Sequence, residues 1–226
     1  MARCDTQALY DFDIRIEAEH GCRVAGLDEA GRGPLAGPVV AAAVMLDLRR
    51  PIPGVNDSKQ LSAKKRDTLY DLITAQAAAW GVGQASVEEI DRHNILQASL
   101  IAMKRALDCV ACAWSLALVD GNQSIPSLDN GRQLTVVAGD AKSASIAAAS
   151  IIAKVTRDRL MARYHEQYPA YEFSLHKGYP TALHRDRIRQ LGLCEIHRRS
   201  FCRGLVGQTV MDLARPAPQG QGKETR

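Results

Sequence analysis

The amino-acid sequence predicts an α/β fold. Strand-like apolar runs alternate with helix-like segments along most of the 226 residues, which is the pattern of a sheet covered by helices. Three of the strand-like runs end directly in an aspartate, namely Asp28, Asp120 and Asp140. Functional groups collect at the carboxyl ends of parallel strands in such sheets, so we expect these three carboxylates to lie close together.

The first predicted strands flank a glycine-rich loop. Residues 22–29 and 38–46 are apolar runs, and the short connection between them predicts an antiparallel, hairpin-like pair. Ser62 precedes a helix predicted over residues 63–79, because a serine side chain can accept a hydrogen bond from the first helical turn. A short strand over residues 80–85 follows.

The alternation continues in the second half of the chain. Ser86 and Glu89 have the spacing of a capping box and open a turn, and apolar residues at helical spacing predict an amphipathic helix over 94–111. The remaining predicted elements are strands over 116–119 and 134–137, a helix rich in small residues over 143–165, and a last helix near 182–191.

Two adjacent carboxylates, Asp28 and Glu29, follow the first strand. Burying like charges is costly unless a cation neutralises them, and Mg²⁺ takes carboxylate oxygens as ligands. With Asp120 and Asp140 they supply the four carboxylates of a two-metal site. Simpler roles stay open for three of them. Asp120 could belong to an Asp-Gly turn, Asp140 could cap a helix, and Glu29 could lie on the opposite side of the strand from Asp28.

Composition and charge restrict the functional classes. The net charge is +4, but residues 181–226 hold nine Lys/Arg against four Asp/Glu. A basic region beside an acidic site suits a polyanionic substrate, although a solvated face with a tail would explain the same charges.

The longest apolar runs, of about ten residues, are too short to span a bilayer. Six cysteines without a signal peptide indicate free thiols, so we expect a cytoplasmic protein.

Other phosphate-binding and hydrolase motifs are missing from the sequence. The spacing of Gly31, Gly33 and Gly37 resembles a dinucleotide-binding loop only superficially, because that loop must open a helix and here a strand-like run follows. The sequence contains no Walker A loop after a strand and no Gly-x-Ser-x-Gly elbow. These absences argue against a P-loop nucleotidase and a serine hydrolase.

Five short motifs follow one another along the chain between residues 22 and 203. They are Gly-Leu-Asp-Glu-Ala-Gly-Arg-Gly at 26–33, Asn-Asp-Ser-Lys at 56–59, Val-Asp-Gly-Asn at 119–122, Gly-Asp at 139–140 with Ala-Ser-Ile-Ile-Ala-Lys-Val-Thr-Arg-Asp at 149–158, and His-Lys-Gly-Tyr-Pro-Thr at 176–181. Taken together they resemble the bacterial ribonuclease HII family. One departure is Ala141, where many members have a serine after the aspartate.

The resemblance implies a ribonuclease H-like fold. Its five-stranded mixed sheet has the order 3-2-1-4-5, with strands 1, 4 and 5 parallel and helices on both faces. We accordingly expect one type 2 ribonuclease H domain over residues 1–206, with the catalytic α/β core to about 165 and a small helical C-terminal portion over 166–206. Residues 207–226, rich in Pro, Gly and Gln, are predicted to be a disordered tail.

The resemblance also implies the reaction, which belongs to ribonucleotide excision in DNA replication and repair. The enzyme would cleave the RNA strand of RNA–DNA hybrids and single ribonucleotides embedded in duplex DNA. The cut would fall on the 5′ side of the ribonucleotide and leave 3′-hydroxyl and 5′-phosphate ends. Asp28, Glu29, Asp120 and Asp140 match the family's four catalytic acidic positions. The first three would ligate Mn²⁺ or Mg²⁺ directly, with two ions in the reactive complex. We expect a monomer that contacts no membrane.

The residues that bind the substrate are implied in the same way. The backbone of Gly31, Arg32 and Gly33 matches the loop that reads the ribose 2′-hydroxyl, the group that distinguishes RNA from DNA. Tyr179 matches the tyrosine that stacks on the sugar following the ribonucleotide.

Two lysines and the Arg-rich C-terminal region would bind phosphates without reading bases. For Lys59 and Lys154 individually, a solvated surface role is about as plausible. Two rival functions stay open, a non-catalytic hybrid-binding module and another ribonuclease H-like phosphoryl transferase such as a resolvase or transposase core. A pure binder gains nothing from carboxylates that face phosphate, and those transferases lack the Gly-Arg-Gly loop after the first acidic pair.

Overall fold

A mixed sheet forms the centre of the structure, a computed structural model that describes residues 6–112 and 114–205. Within those residues its strands are β1 (Val24–Ala30), β2 (Val39–Met45), β3 (Ala79–Ala85), β4 (Leu116–Asp120) and β5 (Gln133–Val136). The strand order is 3-2-1-4-5. Strand β2 is antiparallel to β1 and β3, whereas β1, β4 and β5 are parallel. The predicted fold and strand order are therefore confirmed.

Helices cover both faces of the sheet. They are α1 (Thr6–His20), α2 (Ala63–Gln76), α3 (Val87–Asp108), α4 (Ala144–Gln167), α5 (Phe173–His176), α6 (Ala182–Leu191) and α7 (Arg199–Cys202). Ala42 and Val44 of β2 pack in one core cluster with α1, α2 and α4, while Ala41 and Ala43 pack with α3. This alternation follows from the two-residue period of a strand, and it explains why every residue of β2 is apolar and buried.

Helix α4 packs closely on β1 because small residues line the contact. A Cβ atom added to Gly26 would lie 2.2 Å from the backbone carbon of Ser145, so only glycine permits this approach. Ser143 caps the helix, and its hydroxyl accepts a hydrogen bond from the Ile146 amide at 3.2 Å. The close contact holds the start of α4 beside the ends of the parallel strands.

Helix α3 differs from the predicted helix over 94–111. The capping box of Ser86 and Glu89 is present and starts the helix at Val87. A break occurs at Asn94, whose φ of 68° is not helical, and the Asn94 side chain accepts a hydrogen bond from the Gln97 amide. The segment predicted as a turn is therefore helical, and Asn94 caps the helix that the apolar spacing predicted.

Three helices, α1, α5 and α7, were not predicted from the sequence. Helix α1 buries Asp13 beside Leu9 and Ile16, and a carboxylate in the buried face interrupts the apolar stripe by which a helix is recognised. Helices α5 and α7 have four residues each, too few to show a period. The tail predicted over 207–226 lies outside the described residues.

The segment after α4 packs on the loop between β1 and β2. Leu35 of that loop joins a small core with Ile188 and Cys202, and Ala36 joins another with Met161 and Phe173.

The five described cysteines are free thiols: Cys22, Cys109, Cys112, Cys194 and Cys202. None of the described helices combines the length and apolar character needed to cross a membrane.

Candidate active site

Three aspartates from separate elements meet at one edge of the sheet. Asp28 lies in β1, just beyond its last pairing with β4 at Leu27, and Asp120 ends β4. Asp140 lies in a single 3-10 turn, Gly139–Ala141, that follows β5. One carboxylate oxygen of each aspartate lies within 4.8 Å of those of the other two. The structure thus brings together the three side chains that the strand ends predicted.

Backbone amides hold two of these carboxylates in place. The Asp28 carboxylate accepts a hydrogen bond from the Glu29 amide at 2.7 Å. The Asp120 carboxylate accepts one from the Gly139 amide, also at 2.7 Å. A Cβ atom on Gly139 would lie 2.6 Å from the Ile146 side chain and 3.1 Å from the Asp120 carboxylate. Glycine at this position therefore lets the segment that carries Asp140 approach β4.

Asp140 has no role in capping helix α4. Ser143 caps that helix, so the alternative raised from the sequence is wrong. The Asp140 carboxylate instead accepts a hydrogen bond from the Lys59 ammonium at 2.8 Å, and this bond raises the pKa of Lys59. Asp140 is 6% exposed, so its charge is directed into the site.

Glu29 lies beside the three aspartates but outside their group. One of its carboxylate oxygens lies 3.3 Å from the Arg32 guanidinium, and Glu29 lines a groove together with Arg32, Asp120 and Asn122. Burial raises the pKa of Glu29, the Arg32 charge lowers it, and the charge of Asp120 raises it further. Glu29 thus faces the same groove as Asp120, and a ligand bound there would meet both carboxylates.

The electrostatics of the site favour a bound cation. Burial, followed by the charges of Glu29 and Asp120, raises the pKa of Asp28 well above its usual value. Burial also raises the pKa of Asp120, and Asp140 adds to the effect. Buried carboxylate oxygens that repel one another fit a hard divalent cation such as Mg²⁺ or Mn²⁺. Asp28, Asp120 and Asp140 are the residues placed to hold it.

The residues implied to bind substrate lie next to this group. Gly31 has a φ of +101°, whereas Gly33 has no positive φ. A Cβ atom on Gly33 would lie 4.0 Å from the Tyr179 ring, so the glycine-rich loop and the tyrosine are neighbours. Tyr179 is 38% exposed although it is large and aromatic. The Lys154 ammonium lies 5.6 Å from the centre of its ring and 2.7 Å from the Asp158 carboxylate.

Two arginines at this site were not identified as functional from the sequence. Arg157 and Arg198 are fully buried, and their guanidinium groups donate to backbone carbonyls around the glycine-rich loop. The expectation that the Arg-rich C-terminal region binds phosphates is therefore wrong for Arg198. Arg157 stands in one of the five motifs, which was the only sequence signal for it.

Comparison with known proteins points to one family. Residues 25–204 match the family model described as Ribonuclease HII. A ribonuclease HII from Burkholderia ambifaria is 54% identical over 200 residues, which cover 88% of this chain and 89% of that protein. Ribonuclease HII 1 from Methylibium petroleiphilum is 60% identical over 177 residues, which cover 78% of this chain and 88% of that protein.

Solved structures share the fold. Ribonuclease H2 from Pyrococcus horikoshii OT3 superposes with a TM-score of 0.67 and 28% identity, covering 81% of this chain and 96% of that chain. Ribonuclease HII from Archaeoglobus fulgidus, solved as a complex with PCNA, gives a TM-score of 0.63 at 28% identity over 78% of this chain and 93% of that chain. The Bst ribonuclease HIII in complex with Mn²⁺ gives 0.62 at 20% identity, over 76% and 63% of the two chains, and this last similarity concerns the fold alone.

Proposed function

The chain belongs to the ribonuclease HII family and is a ribonuclease H, and we propose that it cleaves single ribonucleotides in duplex DNA as well as the RNA strand of hybrids. The cut falls on the 5′ side of the ribonucleotide and leaves 3′-hydroxyl and 5′-phosphate ends. The observation that carries the proposal is the position of three converging aspartates beside a glycine-rich loop and an exposed tyrosine. A site for phosphodiester hydrolysis and a reader of ribose are then adjacent.

The acidic residues have distinct parts in this proposal. Asp28, Asp120 and Asp140 would hold a divalent cation, and Glu29, which the resemblance implies as a further ligand, faces the same groove as Asp120. The chemistry that two bound Mn²⁺ or Mg²⁺ ions would supply there is activation of the attacking water and stabilisation of the charge on the leaving 3′ oxygen. The Lys59 ammonium lies beside Asp140. Its positive charge reduces the repulsion between the carboxylates of the site while no substrate phosphate is bound.

Recognition of ribose falls to the loop and the tyrosine. The backbone of Gly31, Arg32 and Gly33 reads the 2′-hydroxyl, and the Tyr179 ring stacks on the following sugar. Lys154 lies beside that ring and binds a phosphate of the same strand. None of these contacts reads a base, so the cleavage does not depend on the surrounding sequence.

We further propose how the whole chain is organised. Residues 1–206 form one domain, whose α/β core ends near residue 165 and whose helical portion covers 166–206. The protein acts as a monomer in the cytoplasm on hybrids and ribonucleotide-containing duplexes. Family membership argues against the two rival functions, since a hybrid-binding module does not need the acidic group and a resolvase or transposase core belongs to other families.

A cleavage assay with three substrates tests the proposed function. Duplex DNA with one ribonucleotide, an RNA–DNA hybrid and an all-DNA duplex are incubated with Mg²⁺, with Mn²⁺ or with a chelator. We expect metal-dependent cleavage of the first two substrates only, and a DNA polymerase should extend the new 3′-hydroxyl ends. Binding without cleavage would indicate a hybrid-binding module. Cleavage of all-DNA duplex would indicate another phosphoryl transferase.

The variant Tyr179→Ala tests the recognition of ribose. Loss of the stacking surface should misplace the sugar, and an error of about 1 Å can reduce the rate ~10²-fold. Affinity for all-DNA duplex should change little, because phosphate contacts supply it. Wild-type cleavage by the variant, or parallel losses of cleavage and DNA affinity, would exclude Tyr179 from ribose recognition. Tyr70→Ala removes a tyrosine ring of helix α2 that faces Arg159, and it serves as the matched control.

A further inference from the structure

Arg157 and Arg198 are buried cations whose guanidinium groups donate only to backbone carbonyls of the described residues. Both are 0% exposed, and neither forms an ion pair with a carboxylate of the described residues. We propose that these two arginines are positioning residues, which set the glycine-rich loop (residues 31–38) and the Tyr179 loop (residues 177–181) in the geometry that reads ribose. The inference rests on the proposed function.

Arg198 binds three carbonyl oxygens of the glycine-rich loop. Its guanidinium nitrogens donate to the carbonyls of Gly31 at 2.6 Å, Arg32 at 2.9 Å and Gly37 at 2.9 Å. Arg198 comes from the segment before α7, and its own amide donates to the Leu35 carbonyl at 2.8 Å. The loop therefore wraps around one planar donor group, and its curvature follows the shape of the guanidinium.

This arrangement determines the direction of the loop amides. In a trans peptide the N–H points opposite to the C=O of the same plane. Because the carbonyls of Gly31 and Arg32 point at Arg198, the amides of Arg32 and Gly33 point away from it. Neither amide donates to an acceptor in the described part of the protein. Two adjacent N–H donors are thus available for an oxygen acceptor such as a ribose 2′-hydroxyl.

Arg157 connects the two loops. Its guanidinium donates to the carbonyls of Ala36 at 3.0 Å and Pro38 at 3.1 Å in the glycine-rich loop, and to Lys177 at 3.0 Å in the Tyr179 loop. The guanidinium carbon also lies 5.9 Å from the centre of the Tyr179 ring. Arg157 therefore sets the distance between the amide donors of the glycine-rich loop and the Tyr179 ring, so these two groups keep their relative positions.

Alternative roles for these arginines fit the contacts less well. Phosphate binding requires an accessible guanidinium, and both side chains are fully buried. A purely electrostatic role would be met equally by lysine, but an ammonium group cannot bind three carbonyls in the plane of a guanidinium. The substitution of arginine by lysine thus separates positive charge from positioning.

The variants Arg198→Lys and Arg157→Lys provide the first test. Arg163→Lys is the matched control, because Arg163 is an exposed residue of the same helix as Arg157. For each folded protein we measure kcat and KM on the single-ribonucleotide duplex, the Kd for all-DNA duplex and the affinity for Mn²⁺. We expect kcat to fall ~10²-fold in both variants, with the other three quantities within about threefold of wild type and the control unchanged.

Two results would overturn the inference. One is a kcat within about threefold of wild type in a folded Arg198→Lys variant. The other is an equal fall of kcat, DNA affinity and Mn²⁺ affinity, which would indicate a general loss of structure. A wild-type protein that does not cleave the duplex would instead refute the proposed function, so the two failures are distinguishable.

If the lysine variants do not fold, a measurement on the wild-type protein tests the inference. Amide hydrogen exchange is followed by NMR in metal-free protein, alone and with a single-ribonucleotide duplex or an all-DNA duplex. We expect the amides of Arg32 and Gly33 to exchange rapidly in the free protein and to slow at least ~10-fold with the ribonucleotide duplex only. Equal protection by both duplexes, or none by either, would overturn the inference.

Discussion

An ionised carboxylate at Asp28 destabilises the metal-free protein but favours the binding of a cation. Its side chain is buried beside the other carboxylates, and burial with the charges of Glu29 and Asp120 raises its pKa well above the usual value. Without a cation the ionised form is unfavourable, and with a cation the same carboxylate becomes a ligand. The residue therefore lowers the stability of the metal-free protein, and a bound cation would offset this loss.

Asp28→Asn should consequently have opposite effects on activity and on stability. An amide does not neutralise a divalent cation, so we expect cleavage at saturating metal to fall at least ~10²-fold. The melting temperature of the metal-free protein should rise, because carboxylate repulsion is relieved. Asp71→Asn, an exposed position on α2, is the control. Near-normal turnover of Asp28→Asn would remove Asp28 from the site.

Gly31 and Gly33 lie in the same loop but differ in what an alanine would meet. Gly31 has a positive φ, and its Cβ would lie 2.1 Å from the Arg157 guanidinium. Gly33 has neither constraint. Gly31→Ala should therefore destabilise the protein by about 1–3 kcal/mol in urea unfolding and reduce cleavage. Gly33→Ala should leave stability within about 0.5 kcal/mol, so that any loss of cleavage reflects crowding of the substrate. Equal destabilisation by both substitutions would contradict this account.

At the scale of elements, the helical C-terminal portion is joined to the Tyr179 loop by two buried histidines. The Cys194 amide donates to Nδ1 of His197 at 3.0 Å, so the proton of His197 lies on Nε2. That proton bonds to Nε2 of His184 at 3.1 Å, and Nδ1–H of His184 then donates to the Tyr179 carbonyl at 3.0 Å. The two bonds accepted by ring nitrogens, on Nδ1 of His197 and Nε2 of His184, require neutral imidazoles, and the chain of bonds ends at the residue proposed to stack on the sugar.

This chain of bonds predicts a loss of stability in acid. Burial lowers the pKa of His184 to about 4 and that of His197 to about 3. The stability they contribute is complete above the unfolded pKa of about 6.5 and is lost as the pH falls towards 4, because only the unfolded chain takes up the protons. At pH 5.5 we expect a loss of about 1 kcal/mol for each histidine.

Urea unfolding between pH 8 and pH 5 checks this prediction, with His184→Asn as the comparison. The variant should show a smaller pH dependence than the wild-type protein, since one buried imidazole is removed. Histidine ¹⁵N NMR spectra should also report a proton on Nε2 of His197 and on Nδ1 of His184 at neutral pH. An unchanged pH dependence in the variant would contradict the assignment.

At the scale of the whole molecule, metal binding should stabilise the fold. The three aspartates belong to β1, to β4 and to the turn before α4, so one cation would connect elements distant in the chain. A ligand that binds only the folded state stabilises it by about 2.7 kcal/mol at 100 times its Kd. We expect Mn²⁺ to raise the melting temperature of the wild-type protein and of Asp71→Asn, but not that of Asp28→Asn. An equal rise in all three would indicate binding elsewhere.

Much of the fold follows from local patterns in the sequence. The apolar runs identified all five strands of the described sheet within about two residues, Ser62 caps the helix that it was predicted to cap, and the capping box of Ser86 and Glu89 is present. Strand-terminal aspartates identified the three side chains that converge. These features are encoded over a few residues, because backbone period and capping depend on near neighbours.

What the sequence determined by itself was thus the elements, their alternation and the acidic residues, while its motifs pointed to the family. The tertiary structure alone decided the positions of Glu29 beside Arg32, of Asp140 on Lys59, and of the two buried arginines. Arg198 binds the carbonyl of Gly31 across 167 positions of the chain. A carbonyl oxygen is present on every residue, so no sequence pattern distinguishes those that a guanidinium will bind. Only the folded backbone, which turns three carbonyls towards one point, gives Arg198 its role.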